Sequence, residues 1–272
     1  MIKFILKKYT KDHYGVFSKN FKVKNQLDEI ALRKKTACIN YKDYFGEISK
    51  HHSIEVMDRE VEIFLKKQKK NAIVLDVGSG WCWHWRFLNK LRPDIKIIAL
   101  DFVRENFNHA KRILGKKNLN QIYFVHEDFD NGKFPKNSFD AIWSCQAFQH
   151  MNNINKKFRI GHSLLKKDGY LYNFNLNYSI FNFLKNFLKN NKNKKIKNFY
   201  LLNRDINFQI KSLNKIFKKK PSLKYNEILF HPELKLFLGK KNSFLSKVDS
   251  ELSGLGLLRS CLARQVLMKV TK

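Results

Sequence analysis

The sequence predicts an α/β fold in which a mostly parallel sheet is covered by helices on both faces. Three observations predict it. Short apolar runs at 73–75, 95–100 and 121–125 have the composition of strands buried on both faces. Segments long enough for a helix separate these runs, an alternation that is typical of parallel sheets. The first run leads directly into a glycine turn.

Residues 71–88, N-A-I-V-L-D-V-G-S-G-W-C-W-H-W-R-F-L, organise this prediction. The apolar run is followed by Asp76, by Gly78 and Gly80, and then by a Trp-rich stretch that can form a helix. A strand, a glycine turn and a helix are the unit with which a Rossmann-like sheet presents a cofactor at the carboxyl end of its first strand. Glycine permits positive φ and lets the backbone approach a ligand closely.

The same loop excludes two common ligands. A dinucleotide fingerprint requires a third glycine where this chain has Trp83. A phosphate-binding loop requires Gly-Lys-Ser/Thr, which does not follow Gly80. We therefore expect a ligand without a pyrophosphate, the alternative being an ordinary strand-to-helix turn.

Carboxylates follow the next two predicted strands. Asp101 comes directly after the run 95–100, where one carboxylate suits both hydroxyls of a ribose. Asp128 and Phe129 follow the run 121–125. Asp128 can accept from an exocyclic amine, and Phe129 offers an apolar face to a base. The sequence therefore predicts a nucleoside site at the carboxyl ends of these strands.

The remaining pattern completes a predicted seven-stranded sheet. A fourth strand is expected at 139–144, a fifth after the turn at 168–169, and a terminal antiparallel hairpin at 257–262 and 265–270. Helices are expected at 53–69, 103–114, 153–166 and 243–252, and Ser53 is the predicted N-cap of the first.

Five ordered motifs between residues 71 and 175 resemble those of the class I S-adenosylmethionine-dependent methyltransferases, within them the type 11, small-molecule-like branch. They are V-L-D-V-G-S-G, A-L-D, E-D-F, F-P-K-N-S-F-D-A-I-W-S and L-L-K-K-D-G-Y-L. One departure is Cys82, where the family often has a third glycine. The resemblance implies S-adenosylmethionine as the cofactor.

The resemblance also assigns roles to residues. The implied cofactor contacts are Asp76, Gly78, Gly80, Asp101, Phe102, Asp128, Phe129 and Ser144. In this assignment Asp76 faces the positive end of the methionine moiety. Tyr14, Cys145 and Gln146 are expected to line the acceptor site. His150 is the candidate general base because its ordinary pKa suits that task, and His84, His51 and His52 are alternatives. No metal site is expected.

Four segments are predicted. Residues 1–52 form an N-terminal lid or helical extension, and 53–178 form the cofactor-binding Rossmann-like core. Residues 179–240 form a basic helical insertion that caps the acceptor, and 241–272 supply the last helix and final strands. The stretch 177–190 has the pattern of a basic amphipathic helix, which either lies on a membrane or packs on the protein.

The chain is strongly basic. Its 54 lysines and arginines exceed its 23 acidic residues and give a formal net charge of +31. The alternatives are AT-rich codon usage, an anionic membrane or substrate, and a nucleic acid. The four cysteines are scattered, and no apolar run approaches the length of a membrane span. We expect a cytoplasmic protein, with contact to a membrane surface left open.

Three functions compete at this point. The first is in-line methyl transfer to a small-molecule, sugar or lipid-type acceptor. The second is methylation of RNA or another nucleic acid. The sequence disfavours base methylation, because Ser144-Cys145-Gln146-Ala147 stands where enzymes that methylate amino groups usually have Asn/Asp-Pro-Pro-aromatic. The third is a non-catalytic, S-adenosylmethionine-binding interaction protein, which the retained carboxylates at three strand ends disfavour.

Overall fold

The computed structural model describes residues 1–19, 27–177, 179–180, 205–230, 243–252 and 258–272. Within these residues nine strands form one sheet in the order β1-β2-β5-β4-β3-β6-β7-β9-β8. The strands are β1 (Thr10–Lys11), β2 (Phe17–Ser18), β3 (Ile73–Val77), β4 (Lys96–Asp101), β5 (Ile122–His126), β6 (Phe139–Cys145), β7 (Leu165–Leu176), β8 (Ser222–Asn226) and β9 (Gln265–Thr271).

Helices surround this sheet. They are α1 (Ile2–Ile5), α2 (Leu27–Ala37), α3 (Tyr44–Ser49), α4 (Ile54–Lys66), α5 (Leu88–Leu91), α6 (Asn106–Leu119), α7 (Ile154–Leu164), α8 (Ile206–Phe217), α9 (Ser243–Leu252) and α10 (Leu258–Leu262). Short 3-10 turns lie at Trp83–Trp85 and Phe148–His150. No described helix has the length and apolar character that crossing a bilayer requires.

The predicted mostly parallel sheet is confirmed. From β2 through β5, β4, β3 and β6 to β7, every neighbouring pair is parallel. The pairs β1–β2, β7–β9 and β8–β9 are antiparallel. The connections run outward in opposite directions from β3, to β4 on one side and to β6 on the other. This is the topological switch point at which open α/β sheets bind ligands.

Two details of the predicted sheet are wrong. The sheet has nine strands and not seven, because the N-terminal segment adds the two-residue strands β1 and β2. The terminal antiparallel pair exists, but its first strand is β8, while the predicted strand at 257–262 contains helix α10. The run L-L-R-S-C-L is too short for its period to distinguish strand from helix, and two of its leucines are spaced four apart.

The predicted insertion is therefore not wholly helical, since its described part holds both α8 and β8. Residues 181–204 and 231–242 lie outside the described residues, as does most of the predicted amphipathic helix 177–190.

Burial on both faces explains the strand composition. Every residue of β3 is buried, and β4 is buried from its second residue onward. One face packs against α4, whose Phe64 contacts Trp85 and Trp143. The other face packs against α1, α7 and α8. Helix α4 begins as predicted after Ser53, although the Ser53 side chain makes no capping hydrogen bond.

Candidate active site

A cleft of about 620 Å³ lies outside the carboxyl ends of β3, β4 and β6. Its floor is the glycine loop after β3, and its walls include the segments that follow β4 and β6. A smaller side pocket adjoins it and reaches the end of β5. The cleft and the side pocket share Gly78, Asp101, Phe102 and Met151, so they form one continuous site.

The glycine loop is packed too tightly for a side chain at its first glycine. Gly78 has φ of +68°, and a Cβ built there would lie 2.4 Å from the Cβ of Ala147. The backbone N–H groups of Gly78 and Ser79 both donate to the Leu100 carbonyl, at 2.9 and 3.0 Å. Gly80 also has positive φ, of +52°. The loop is thereby held between the ends of β4 and β6.

Asp101 joins three elements at the end of β4. Its Oδ2 accepts from the Gly80 N–H at 2.8 Å, and its Oδ1 accepts from the Val103 N–H at 2.8 Å and from Asn106 Nδ2 at 3.2 Å. Burial raises the pKa of Asp101 above its usual value. The carboxylate predicted to bind a ribose therefore lies on the wall of the cleft, fixed against the glycine loop.

The side pocket holds the residues predicted to bind a base. Asp128, Phe129 and Phe102 line it. Asp128 Oδ1 accepts from the Asp130 N–H at 3.1 Å, and the buried Phe129 ring meets Phe148 edge-on. The sequence prediction missed Glu127, which also lines this pocket and is 1% exposed. Burial raises the pKa of Glu127 to about 6. The sequence E-D-F does not indicate whether one or both of its acidic side chains line the pocket.

Asp76 does not line the cleft, contrary to its expected position facing a methionine moiety. It is fully buried, and its Oδ2 accepts from Trp85 Nε1 at 2.7 Å and lies 3.0 Å from His84 Nε2. His84 itself is on the cleft wall, between Asp76 and the cavity. The 3-10 turn folds back over the end of β3. The Asp76 carboxylate therefore holds the Trp-rich turn in place from the side that faces away from the cleft.

The predicted acceptor residues have different locations. Cys145 and Gln146 line the cleft, whereas Ser144 is fully buried and does not. Burial raises the pKa of the Cys145 thiol, which disfavours its thiolate form. Tyr14 is 58% exposed in the β1–β2 turn, where its ring lies over the Arg104 guanidinium. Its expected role in lining the acceptor site is wrong, because β1 and β2 form the far edge of the sheet.

Four histidines line the cleft: His51, His52, His84 and His150. His150 Nε2 lies 3.4 Å from Arg33 Nη2 and 3.1 Å from Gln149 Nε2. A guanidinium only donates, so Nε2 of His150 is the acceptor in that contact. Burial and then the charge of Arg264 lower the pKa of His51, and they lower the pKa of His52 to about 3.

The N-terminal segment forms one wall of the cleft. Helix α2 contributes Glu29 and Arg33, whose side chains form an ion pair at 2.7 Å. Tyr41 also lines the cleft, and its ring lies 4.7 Å from that of Trp81 on the glycine loop. Trp81 in turn lies 5.0 Å from the His109 ring. These aromatic contacts fasten the segment predicted to be a lid to the glycine loop and to α6.

The cleft lining also includes Arg264, which directly precedes β9. Its Nη1 donates to Glu227 Oε2 at 2.6 Å, and both residues are buried. Sequence reasoning missed this pair, since the two residues meet only through the pairing of β8 with β9. The described residues contain no group of three or more histidine, cysteine, aspartate or glutamate side chains able to hold a metal ion.

The lining of the cleft and side pocket offers the groups that a nucleoside needs. The Asp101 carboxylate lies beside the glycine loop, with its Oδ2 2.8 Å from the Gly80 nitrogen. Phe102 and Phe129 form apolar walls of the side pocket. Glu127 and Asp128 are acceptors for an amine at the same place. The glycine backbone leaves space where a side chain would block the cleft.

Comparisons of the sequence agree with this geometry. The family model described as a methyltransferase domain matches residues 74–169. The malonyl-[acyl-carrier protein] O-methyltransferase 1 of Ilyobacter polytropus is 32% identical over 128 residues, which are 47% of this chain and 44% of that protein. The ribosomal RNA small subunit methyltransferase G of Lactobacillus helveticus is 24% identical over 147 residues, 48% of this chain and 60% of that one. In both alignments the chain spans less than two thirds of its relative.

Solved structures share the fold. A SAM-dependent methyltransferase from Archaeoglobus fulgidus has a TM-score of 0.53 at 15% identity and covers 85% of this chain and all of its own. The Haemonchus contortus phosphoethanolamine N-methyltransferase 2, in complex with S-adenosyl-L-methionine, has a TM-score of 0.53 at 16% identity, with 79% of this chain and 52% of its own covered. Residues 74–169 therefore match a methyltransferase domain, as the resemblance to class I S-adenosylmethionine-dependent methyltransferases implies, and the solved structures share the fold of this core.

Proposed function

We propose that this chain transfers a methyl group from S-adenosylmethionine to a small-molecule, sugar or lipid-type acceptor by in-line displacement. One observation supports this proposal above the others. The glycine loop, Asp101, the side pocket and the Cys145–Gln146 wall border one continuous cleft at the topological switch point. A methyl donor bound along the glycine loop, Asp101 and the side pocket would extend toward Cys145 and Gln146.

Each chemical task of the donor site has a candidate residue in this chain. Gly78 and Gly80 give backbone room, and Asp101 would accept from the ribose hydroxyls. Phe102 and Phe129 would flank the adenine, with Glu127 or Asp128 accepting from its amine. When bound, the cofactor supplies an electrophilic methyl group on a sulfonium. Ser144 and Asp76 would act only indirectly, since neither lines the cleft.

The acceptor would lie between Gln146 and the N-terminal wall. Alignment of the reacting atoms supplies much of the acceleration in such a displacement. The wall formed by α2 and α3 would exclude water, with Tyr41 covering the glycine loop. If the acceptor is a hydroxyl, His150 would take its proton, since its Nε2 is an acceptor on the cleft wall.

Nucleic-acid methylation is the second candidate. The net charge of +31 favours it, and three relatives are named as ribosomal RNA methyltransferases. The enclosure of the cleft by N-terminal helices and the sequence Ser144-Cys145-Gln146-Ala147 favour a small acceptor instead. The basic surface would then serve peripheral contact with an anionic membrane in the cytoplasm, or no specific partner.

Transfer of labelled methyl groups separates these candidates. The chain is incubated with methyl-labelled S-adenosylmethionine and with separated small-molecule, lipid and RNA fractions of cells. We expect label in the small-molecule or lipid fraction, strongly reduced with Asp101→Asn and unchanged with Asp168→Asn, which removes a charge at an exposed residue of β7. Label only in RNA would favour the second candidate. Binding of the cofactor without any transfer would favour a non-catalytic role.

A further inference from the structure

The cleft wall next to β9 holds a buried guanidinium whose counterion lies behind it. Arg264 is 3% exposed and lines the cleft, whereas Glu227 is fully buried and lies outside the described lining. The Arg264 Nη1 donates to Glu227 Oε2 at 2.6 Å. The pair is therefore oriented with its positive end toward the cavity.

Glu227 is held by three other segments. Its Oε1 accepts from the Ser53 N–H at 3.0 Å, at the start of α4. Its own N–H donates to Asp249 Oδ1 at 3.1 Å, and its carbonyl accepts from the Arg264 N–H at 3.1 Å. The Arg264 guanidinium also lies 5.4 Å from the centre of the Phe230 ring. Arg264 is thus fixed in one orientation before any ligand arrives.

A contribution to stability does not by itself explain the buried Arg264–Glu227 ion pair. Replacing a buried ion pair by apolar residues is often neutral or stabilising, because both charges lose their hydration. A guanidinium is, however, the side chain best suited to planar recognition of a carboxylate or phosphate. Its position on a cleft wall gives the buried charge a ligand-binding use.

The carboxylates nearest this part of the cleft are each paired with a cation. The cleft carboxylates of the N-terminal wall already have partners, Glu29 with Arg33 and Glu47 with Lys50 at 2.6 Å. His51 lies within the electrostatic reach of both Arg264 and Arg33, and each lowers its pKa. Two guanidinium groups, those of Arg264 and Arg33, therefore act on the same part of the cleft around His51.

We propose that Arg264 binds an oxyanion, a carboxylate or a phosphate, on the methyl acceptor, and that Glu227 positions it. The inference rests on the proposed function and names its acceptor class: a small molecule with a negatively charged group. Arg264 lines the same cleft as Cys145 and Gln146, and its charge acts on the Cys145 thiol, so the anionic group would anchor the acceptor beside the methyl-transfer position.

Titration calorimetry with simple probes tests this. Inorganic phosphate, malonate and the neutral analogue malonamide are titrated into the full chain, with and without bound S-adenosylhomocysteine, at low ionic strength. We expect at least one anion to bind and malonamide not to. Arg264→Gln weakens anion binding by about tenfold or more. The control Arg259→Gln removes the same charge from α10, outside the cleft lining, and changes it less than about twofold.

A second variant guards against misfolding of Arg264→Gln. Glu227→Gln keeps a side-chain oxygen that can accept from the Arg264 guanidinium and position it, but it removes the opposing charge, so the anion binds about threefold or more tightly. Phosphate binding alone indicates a phosphorylated acceptor, and malonate binding alone a carboxylated one. Absence of anion binding to wild type, or equal affinities in wild type and both cleft variants, would overturn the inference. Binding of S-adenosylhomocysteine is measured separately, so failure of the donor site remains distinguishable.

Discussion

Gly78 and Ala147 lie so close together that a Cβ on the glycine would approach the Ala147 Cβ to 2.4 Å. Real Cβ atoms do not come this near, and one of the two backbone segments would have to move. Gly78 follows β3 and Ala147 follows β6, so this contact closes the topological switch point of the sheet. The glycine loop, and with it the floor of the cleft, depends on the contact.

Gly78→Ala is therefore expected to weaken cofactor binding by about 100-fold, because the shifted loop blocks the cleft. The matched control is Gly15→Ala, since Gly15 also has positive φ, of +78°, but its added Cβ meets nothing closer than 3.7 Å. Both variants are expected to lose about 1 kcal/mol of stability from the strained φ. Calorimetric titration with S-adenosylhomocysteine and urea unfolding measure the two effects. Equal affinities in the two variants would contradict this explanation.

Trp85→Phe removes the indole N–H that donates to the buried Asp76 carboxylate at 2.7 Å. The free energy of unfolding is expected to fall by about 2 kcal/mol, since the carboxylate loses a buried donor. Trp83→Phe is the control, because the Trp83 indole lies on the cleft wall and not on Asp76. Urea unfolding measures both. A smaller loss for Trp85→Phe than for Trp83→Phe would mean that Asp76 does not hold the turn.

The N-terminal wall is expected to open when its aromatic contact is removed. Trp81→Leu separates Tyr41 from the glycine loop, and backbone hydrogen exchange in α2 and α3 should become about tenfold faster. S-adenosylhomocysteine should slow the same amides in wild type if residues 1–52 act as a lid. Phe87→Leu, a change at a 46% exposed ring, is the control. Unchanged exchange in α2 and α3 would contradict the lid.

Glu127 gives stability a pH dependence of known sign. Its folded pKa, about 6, is raised by burial above the ordinary value of 4.5. The folded state therefore holds its proton more tightly, and the stabilising contribution is present below pH 4.5 and lost as the pH rises through 6. The loss across this window is about 1 kcal/mol.

Glu127→Gln should abolish this component. Between pH 4.5 and pH 7 the wild type should therefore lose about 1 kcal/mol more unfolding free energy than the variant does. Urea unfolding of both proteins at the two pH values measures it. A difference that is constant with pH, or that shifts toward wild type, would show that Glu127 is not buried as a neutral acid.

The strands and the glycine turn that border the proposed donor site could be predicted because their signals are local. A strand buried on both faces, a glycine pair and an acid at the next strand end are all consecutive in the chain, and β3, β4 and Asp101 follow from them. Asp76 shows the limit of this reasoning. Its side chain turns toward His84 and Trp85, whose 3-10 turn no period in the sequence reveals.

The acceptor side could not be predicted because its residues are far apart in the chain. Arg264 and Glu227 are 37 residues apart and meet because β9 pairs with β8. The sequence around β8 has no glycine signature or strong alternation, so 179–240 was expected to be helical. Tyr14 was placed in the acceptor site by its aromatic character, although its turn lies at the opposite edge of the sheet.

The central claim is that one nucleoside donor binds across Gly80, Asp101 and the side pocket. Titration of S-adenosylhomocysteine into wild type, Asp101→Asn and Asp168→Asn tests it most directly. We expect wild type and Asp168→Asn to bind with equal affinity, and Asp101→Asn to bind at least about tenfold more weakly, since a neutral amide replaces the charged acceptor for the ribose hydroxyls. No binding by wild type, or undiminished binding by Asp101→Asn, would contradict the claim.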